Sequence, residues 1–226
     1  MNAEAADELG VRRDRMVAEI EQLVRETQRE TGRAVLHERV IAALRKVDRH
    51  RFVPTSYSAQ AYENRPLAIG AGQTISQPFI VALMTDLLNV GPGDNVLEVG
   101  TGSGYQAAVL AEIVGTVYSI EIIEPLGREA ARALSAAGYR NVHTRIGDGY
   151  AGWPEQAPFD GIIVTAAATE VPQPLVDQLK PGGRLVIPVG AQGGAQVLYV
   201  VEKDARGEVS RRKALDVRFV PLTRNH

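Results

Sequence analysis

The run NVLEVGTGSGYQAAVLA, residues 95–111, sets three glycines at alternate positions, Gly100, Gly102 and Gly104, between an apolar stretch and a helix-forming one. Glycine lets the backbone turn tightly and come close to a ligand, and the free N–H groups at the start of the following helix add a positive dipole end. Glu98, Thr101 and Ser103 are interleaved with the glycines. About 20 residues beyond the first glycine, where an acid can accept hydrogen bonds from ribose hydroxyls, the run TVYSIE closes on Glu121. A third run, VHTRIGD, leads into Asp148 and Gly149, and an Asp there can accept from an adenine amino group. Two of these acids have plainer alternatives. Glu121 suits the start of a helix at Pro125 through the dipole, and Asp148-Gly149 is a turn-forming pair.

A second stretch carries chemistry of another kind. GAGQTISQP, residues 70–78, contains no acid, base, thiol or histidine, yet it is flanked by patterned segments. Ser76 is either the N-cap of a helix opened by Pro78 or a hydrogen-bond donor to a ligand at that helix start. A carboxylate nucleophile is ionised at neutral pH and needs donors and alignment, with no base. Gly70 and Gly72 imply that the segment moves when substrate enters.

These groups need elements to hold them. Ile80, Leu83, Met84, Leu87 and Leu88 recur at helical spacing after Pro78, up to NVGPGD. NVLEVG, TVYSIE, VHTRIGD, FDGIIVTA and GRLVIPVG are short apolar runs separated by YQAAVLAEIV, PLGREAARALSAAG and loops. Such alternation predicts a mostly parallel sheet with helices on both faces, the second helix running from Pro125 to Gly138. QVLYVVEKD and RKALDVRFVPL, joined near ARGE, predict a C-terminal antiparallel hairpin. Upstream, Met16, Val17, Ile20, Leu23 and Val24, then Val40, Ile41, Leu44 and Val47, predict two short amphipathic helices, the second ending at Pro54.

The 226 residues fit one domain, with an N-terminal helical segment over 1–55, an active-site loop and helix over 56–90, and an α/β core over 91–226. A net charge of -2 gives no general drive toward nucleic acid or anionic membrane. There is no cysteine, which removes thiolate catalysis and suits a reducing compartment. Charges interrupt the N-terminal run, so no signal peptide or membrane span is expected, and a cytoplasmic monomer is the expectation. His37, His50, His143 and His226 lack ligand spacing, so no metal is expected.

The glycine pattern is not G-x-G-x-x-G, and no phosphate-binding Lys follows it. Few phosphate contacts with a ribose acid and an adenine-side acid suit S-adenosylmethionine. LEVGTGSGYQAAVLA, GDGYAGWPEQAPFDGIIVTAAA, LKPGGRLVIPVG and above all AIGAGQTISQPFIVALM resemble the protein-L-isoaspartate O-methyltransferases, over roughly residues 35 to 223. The resemblance implies a Rossmann-like class I methyltransferase fold. It implies methylation of the free α-carboxylate of L-isoaspartyl, and less well D-aspartyl, residues in damaged proteins, giving an ester that cyclises to succinimide.

Carried over, Glu98, Gly100, Thr101, Gly102, Ser103 and Gly104 would bind the cofactor with Thr74 and Ile75, while Glu121 would hold ribose and Asp148 and Gly149 adenine. Ser76 would be the active-site residue, sharing the substrate with Thr74, Val217 and Thr223. Ala71, Phe79 and Thr169 depart from the family pattern and bear on fine substrate preference. Three rivals remain: a nicotinamide oxidoreductase, which the same strand, loop and acid would serve; methyl transfer to nitrogen; and a binding module that has lost turnover. Against the first two stand the glycine spacing and the TAAA run at 165–168.

Overall fold

The computed structural model describes residues 3–191 and 193–224. It begins with helices α1 (Ala3–Glu26), α2 (Gln28–Thr31) and α3 (Glu38–Lys46). α1 buries Met16, Val17, Ile20 and Val24 as its stripe requires. It is one 24-residue helix rather than a short one. The segment ahead of the stripe is rich in Ala, Glu, Leu and Arg, whose helix propensity extends it. α3 ends eight residues before Pro54. Val47 turns extended there, and a 3-10 turn over Arg49–Phe52 follows, burying Arg49 and Phe52.

The segment around 70–78 is only partly a loop. β1 (Leu67–Gly70) and β2 (Gln73–Ile75) pair antiparallel, with Leu67 opposite Ile75 and Ala68 opposite Thr74. Ala71 and Gly72 form the turn with φ of 49° and 71°. Positive φ at both turn positions matches the twist of a tight hairpin. α4 (Pro78–Leu88) then runs buried under the sheet and stops at Asn89 in the left-handed conformation.

The core alternates as expected: β3 (Asn95–Val99), α5 (Tyr105–Ala111), β4 (Thr116–Glu121), α6 (Glu124–Ala136), β5 (Val142–Ile146), β6 (Phe159–Val164), α7 (Gln173–Asp177), β7 (Leu179–Val189), β8 (Gln196–Lys203) and β9 (Val209–Val217). The strand order is β5-β4-β3-β6-β7-β8-β9. The first five strands are parallel, and β8 and β9 are antiparallel additions at one edge.

Alternate residues of the central strands enter two separate cores. Val96, Val117, Ile163 and Val186 pack with α1, α3, α4 and α5. Leu97, Val99, Ile162, Val164 and Leu185 pack on the other side with Leu175 and Val176 of α7. Burial on both faces is why these strands read as continuous apolar runs. The chain leaves β3 for β4 on one side, while β6 lies on the other, so the strand order reverses beside β3. A crevice at the carboxyl ends of the strands follows from that reversal.

Candidate functional site

The crevice at that reversal is a cleft lined by residues 100–103 of the glycine loop, Tyr105 and Gln106 of the helix start, Ile120 to Ile123, Gly149, Thr165, the 73–76 strand end and residues 220–223. Gly100 has φ of 98°, and a Cβ there would overlap Thr165 Oγ1, which donates 2.6 Å to the Gly100 carbonyl. At Gly149 a Cβ would overlap Val99 Cγ1. Both glycines are therefore places where backbone alone fits, and both line the cleft.

Glu121 is buried, and each of its oxygens accepts a backbone N–H, from Gly102 at 2.8 Å and Ile123 at 2.9 Å. One carboxylate thereby locks the glycine loop to the end of β4 while keeping lone pairs for a ligand. The helix-leading alternative and the ligand alternative are thus compatible. Thr101 is buried, its hydroxyl 2.6 Å from that of Ser119, and Ser103 and Gly102 face the cleft. Gly104, with φ of 87°, packs against Leu134 and caps α5, behind the lining.

Glu98 is placed differently from the sequence expectation. It is fully buried, does not line the cleft, and accepts from Ser119, with its second oxygen unpartnered. Burial pushes its carboxyl up to about 8, and the nearby Glu121 adds to this against the Ser119 hydrogen bond. The position lies one strand residue too deep: Val99, next along β3, is the one that reaches the cleft.

Asp148 also stands beside the lining rather than in it. Its carboxylate accepts from Tyr150 N at 2.9 Å, the turn-forming role, and lies 3.7 Å from Arg224 Nε. Arg224 in turn lies over the Tyr150 ring at 4.1 Å.

A second opening, a groove, is walled by Phe79, Ile80, Leu215, Val217 and Phe219, with Leu23 of α1 and Pro66. Val217 lies in it as expected. Thr223 does not: it lines the cleft with Pro221 and Leu222, because Ala167 N donates to Val220 O and Leu222 N to Ala167 O, both 2.8 Å, turning this segment back over β6. The cleft and the groove share Thr74, Ser76, Thr165 and Val220. Ile75 lines the cleft alone.

Ser76 is half-buried and is not the N-cap of α4. Gln77 holds that position without a side-chain cap, and the work is done by Asn64, whose Oδ1 accepts from Phe79 N at 3.0 Å. The Phe79 N–H is therefore already taken, and the Ser76 hydroxyl beside this helix start has no hydrogen-bond partner among the described residues. Asn64 lies 15 residues from its partner, and its segment carries no capping pattern, so no local signal marked it. Thr165, at the head of the TAAA run, and Gln106 also line the cleft without a local motif to mark them, and Gln106 donates 2.9 Å to Thr85.

The described histidines have structural partners. His37 accepts from Arg39 N at the start of α3, His50 lies 3.0 Å from the Tyr62 hydroxyl, and His143 stacks on Tyr118. His226 lies outside the described residues. Among the described residues no cluster of His, Asp and Glu is arranged to hold a metal, and no helix is long and apolar enough to cross a membrane.

A mostly parallel sheet with a glycine loop after its first core strand, an acid at the end of the next, and an added antiparallel pair defines a Rossmann-like S-adenosylmethionine-dependent methyltransferase. Residues 18–226 match the family model described as protein-L-isoaspartate(D-aspartate) O-methyltransferase (PCMT). A protein-L-isoaspartate O-methyltransferase 2 of Syntrophobacter fumaroxidans is 59% identical over 222 residues, covering 98% of this chain and 90% of the relative. One of Polaromonas sp. is 62% identical over 208 residues, covering 92% and 99%.

Among solved structures, a protein-L-isoaspartate O-methyltransferase superposes with a TM-score of 0.79 at 30% identity, covering 92% of this chain and 65% of that longer one. A Plasmodium falciparum protein described as a putative member, solved in complex with S-adenosyl-L-homocysteine, gives 0.72 at 26% identity, covering 91% and 98%. The chain belongs to the protein-L-isoaspartate(D-aspartate) O-methyltransferase family. It is a protein-repair enzyme that methylates isoaspartyl residues with S-adenosylmethionine. That excludes the oxidoreductase, nitrogen-transfer and inactive-module alternatives.

Proposed function

We propose that Ser76 orients the free α-carboxylate of an isoaspartyl residue and that transfer takes place where the cleft meets the groove. The observation that carries this reading is the sharing of Thr74, Ser76, Thr165 and Val220 by the two openings. S-adenosylmethionine, when bound in the cleft, supplies a methyl group on a sulfonium, ready for an in-line oxygen nucleophile. The residues present fit it. Gly100 and Gly149 bring bare backbone to the cleft wall where Thr165 and Val99 leave no space for a side chain, Glu121 keeps lone pairs for ribose hydroxyls, and Thr101, Gly102 and Ser103 would line the methionine side. Asp148 serves the adenine end through the turn that presents Gly149.

The acceptor needs no base. An α-carboxyl group has a pKa of about 3.5 and is ionised at neutral pH, so the protein has only to align it and keep it there. The Ser76 hydroxyl donates to one carboxylate oxygen, leaving the other free to attack. Val217 and its apolar neighbours hold the flanking peptide, and Thr74 closes the space between peptide and methyl. The hairpin tip at Ala71-Gly72 moves aside to admit the peptide. In this reading the protein acts in the cytoplasm as a monomer.

The test is Ser76→Ala, assayed by methyl transfer to an isoaspartyl peptide and to its normal aspartyl twin. Loss of a hydrogen bond to a charged group predicts a fall in kcat/KM of roughly tenfold to hundredfold. The affinity for S-adenosylhomocysteine should stay within about threefold, since the variant leaves the glycine loop untouched. Wild-type kcat/KM in the variant, or equal methylation of both peptides by the wild type, would sink the assignment.

A further inference from the structure

Arg49 is fully buried, and none of its partners is a carboxylate. Its Nε donates to the Ala61 carbonyl at 2.8 Å, its Nη2 donates to the Ser76 carbonyl at 2.8 Å, and Nη1 has no partner. The guanidinium lies over the ring of Tyr105 at 4.6 Å. Tyr105 is the first residue of α5 after the glycine loop and lines the cofactor cleft. Arg49 therefore stands between the wall that receives the cofactor and the segment that carries Ser76.

A buried cation without a counter-ion is costly, and a tie between two carbonyls does not require one. Burial lowers the guanidinium to about 10, which still leaves it charged at neutral pH. What Arg49 supplies beyond an amide is a planar fork that fixes two carbonyls at once, and a positive charge left uncompensated. One arm of the fork holds the carbonyl of Ser76, and the charge therefore lies beside the peptide group of the residue proposed to meet the substrate carboxylate.

We propose that Arg49 is a positioning residue for methyl transfer: its fork fixes the backbone of Ser76, and its unpaired charge makes that end of the cleft receptive to a carboxylate. The proposal rests on the reading of Ser76 as the residue that orients the substrate. It accounts for the retention of a fully buried charge beside a site whose acceptor is an anion.

A double-mutant cycle tests it, assayed at saturating S-adenosylmethionine with an isoaspartyl peptide. Arg49→Lys loses the fork, and kcat/KM is expected to fall roughly tenfold, mainly through KM for the peptide. The S-adenosylhomocysteine affinity should remain within about threefold of wild type. In a Ser76→Ala background the same change should cost less than about threefold, because the group it positions is absent. Arg49→Gln, which keeps a donor and removes the charge, should raise KM for the peptide further than Arg49→Lys and keep that extra loss in the Ser76→Ala background; if Arg49→Lys does not fold, a wild-type KM in Arg49→Gln overturns the inference instead.

Additive losses in the double mutant, a wild-type kcat/KM in Arg49→Lys, or a parallel loss of cofactor affinity would overturn the inference. Unchanged kcat/KM in Ser76→Ala alone would overturn the reading of Ser76 and this inference with it. A loss in Ser76→Ala combined with additivity would overturn only the role of Arg49.

Discussion

Glu98 shows how one buried acid ties stability to pH. Its carboxyl is pushed up to about 8 by burial, so between the unfolded value of about 4.5 and the folded value the native state holds a proton that the unfolded chain has released. The native state binds more protons in that window, and stability therefore falls as pH rises through it. Below the window both states are protonated, and above it both are ionised, so the contribution is flat on either side. Glu98→Gln removes the titration while preserving shape. The melting temperature of this variant, measured without cofactor from pH 5 to pH 8, should decline less than that of the wild type. Parallel declines would show that Glu98 does not titrate in this range.

At the scale of elements, α4 depends on a cap that comes from far along the chain. Asn64 receives the Phe79 N–H and holds the Gln77 side chain through its own carbonyl at 3.0 Å. Asn64→Ala should cost about 1 kcal/mol, the usual loss for a helix cap. In a chain of this length that lowers the melting temperature by roughly 2–4 °C. Differential scanning calorimetry reads the shift, and an unchanged transition would show that Gln77 suffices alone.

The same elements show what was legible beforehand. The five parallel strands and the glycine loop could be read because burial on both faces and a tight turn each leave a local mark, as in NVLEVG followed by Gly100, Gly102 and Gly104. The β1–β2 hairpin left a weaker mark, since Ala71 occupies a position where Gly or Asn usually signals the turn. Asn64, Arg49 and Thr165 were illegible for one shared reason: each acts on a partner at least 12 residues away, where no periodicity connects them. The register of β3 sets Glu98 behind the cleft lining, and the return of residues 220–223 over Ala167 sets Thr223 in the cleft rather than the groove, placements that no local pattern marks.

For the molecule as a whole, the sheet has two edges treated in different ways. β9 presents Arg211, Arg212 and Lys213 on exposed backbone, charges that discourage pairing with another chain, while β5 at the other edge is short. β9 also walls the groove with Leu215 and Val217 at its far end, and the groove meets the cleft at Thr74, Ser76, Thr165 and Val220. That arrangement has a kinetic meaning. On the proposed assignment of the cleft to the cofactor and the groove to the peptide, each ligand would have its own entrance, and neither seat would need to be filled before the other is entered. An isoaspartyl peptide should bind the cofactor-free protein with measurable heat in calorimetry, and its absence would mean that the cofactor builds part of the peptide seat. On that assignment spent cofactor would leave by an opening that the docked peptide does not fill.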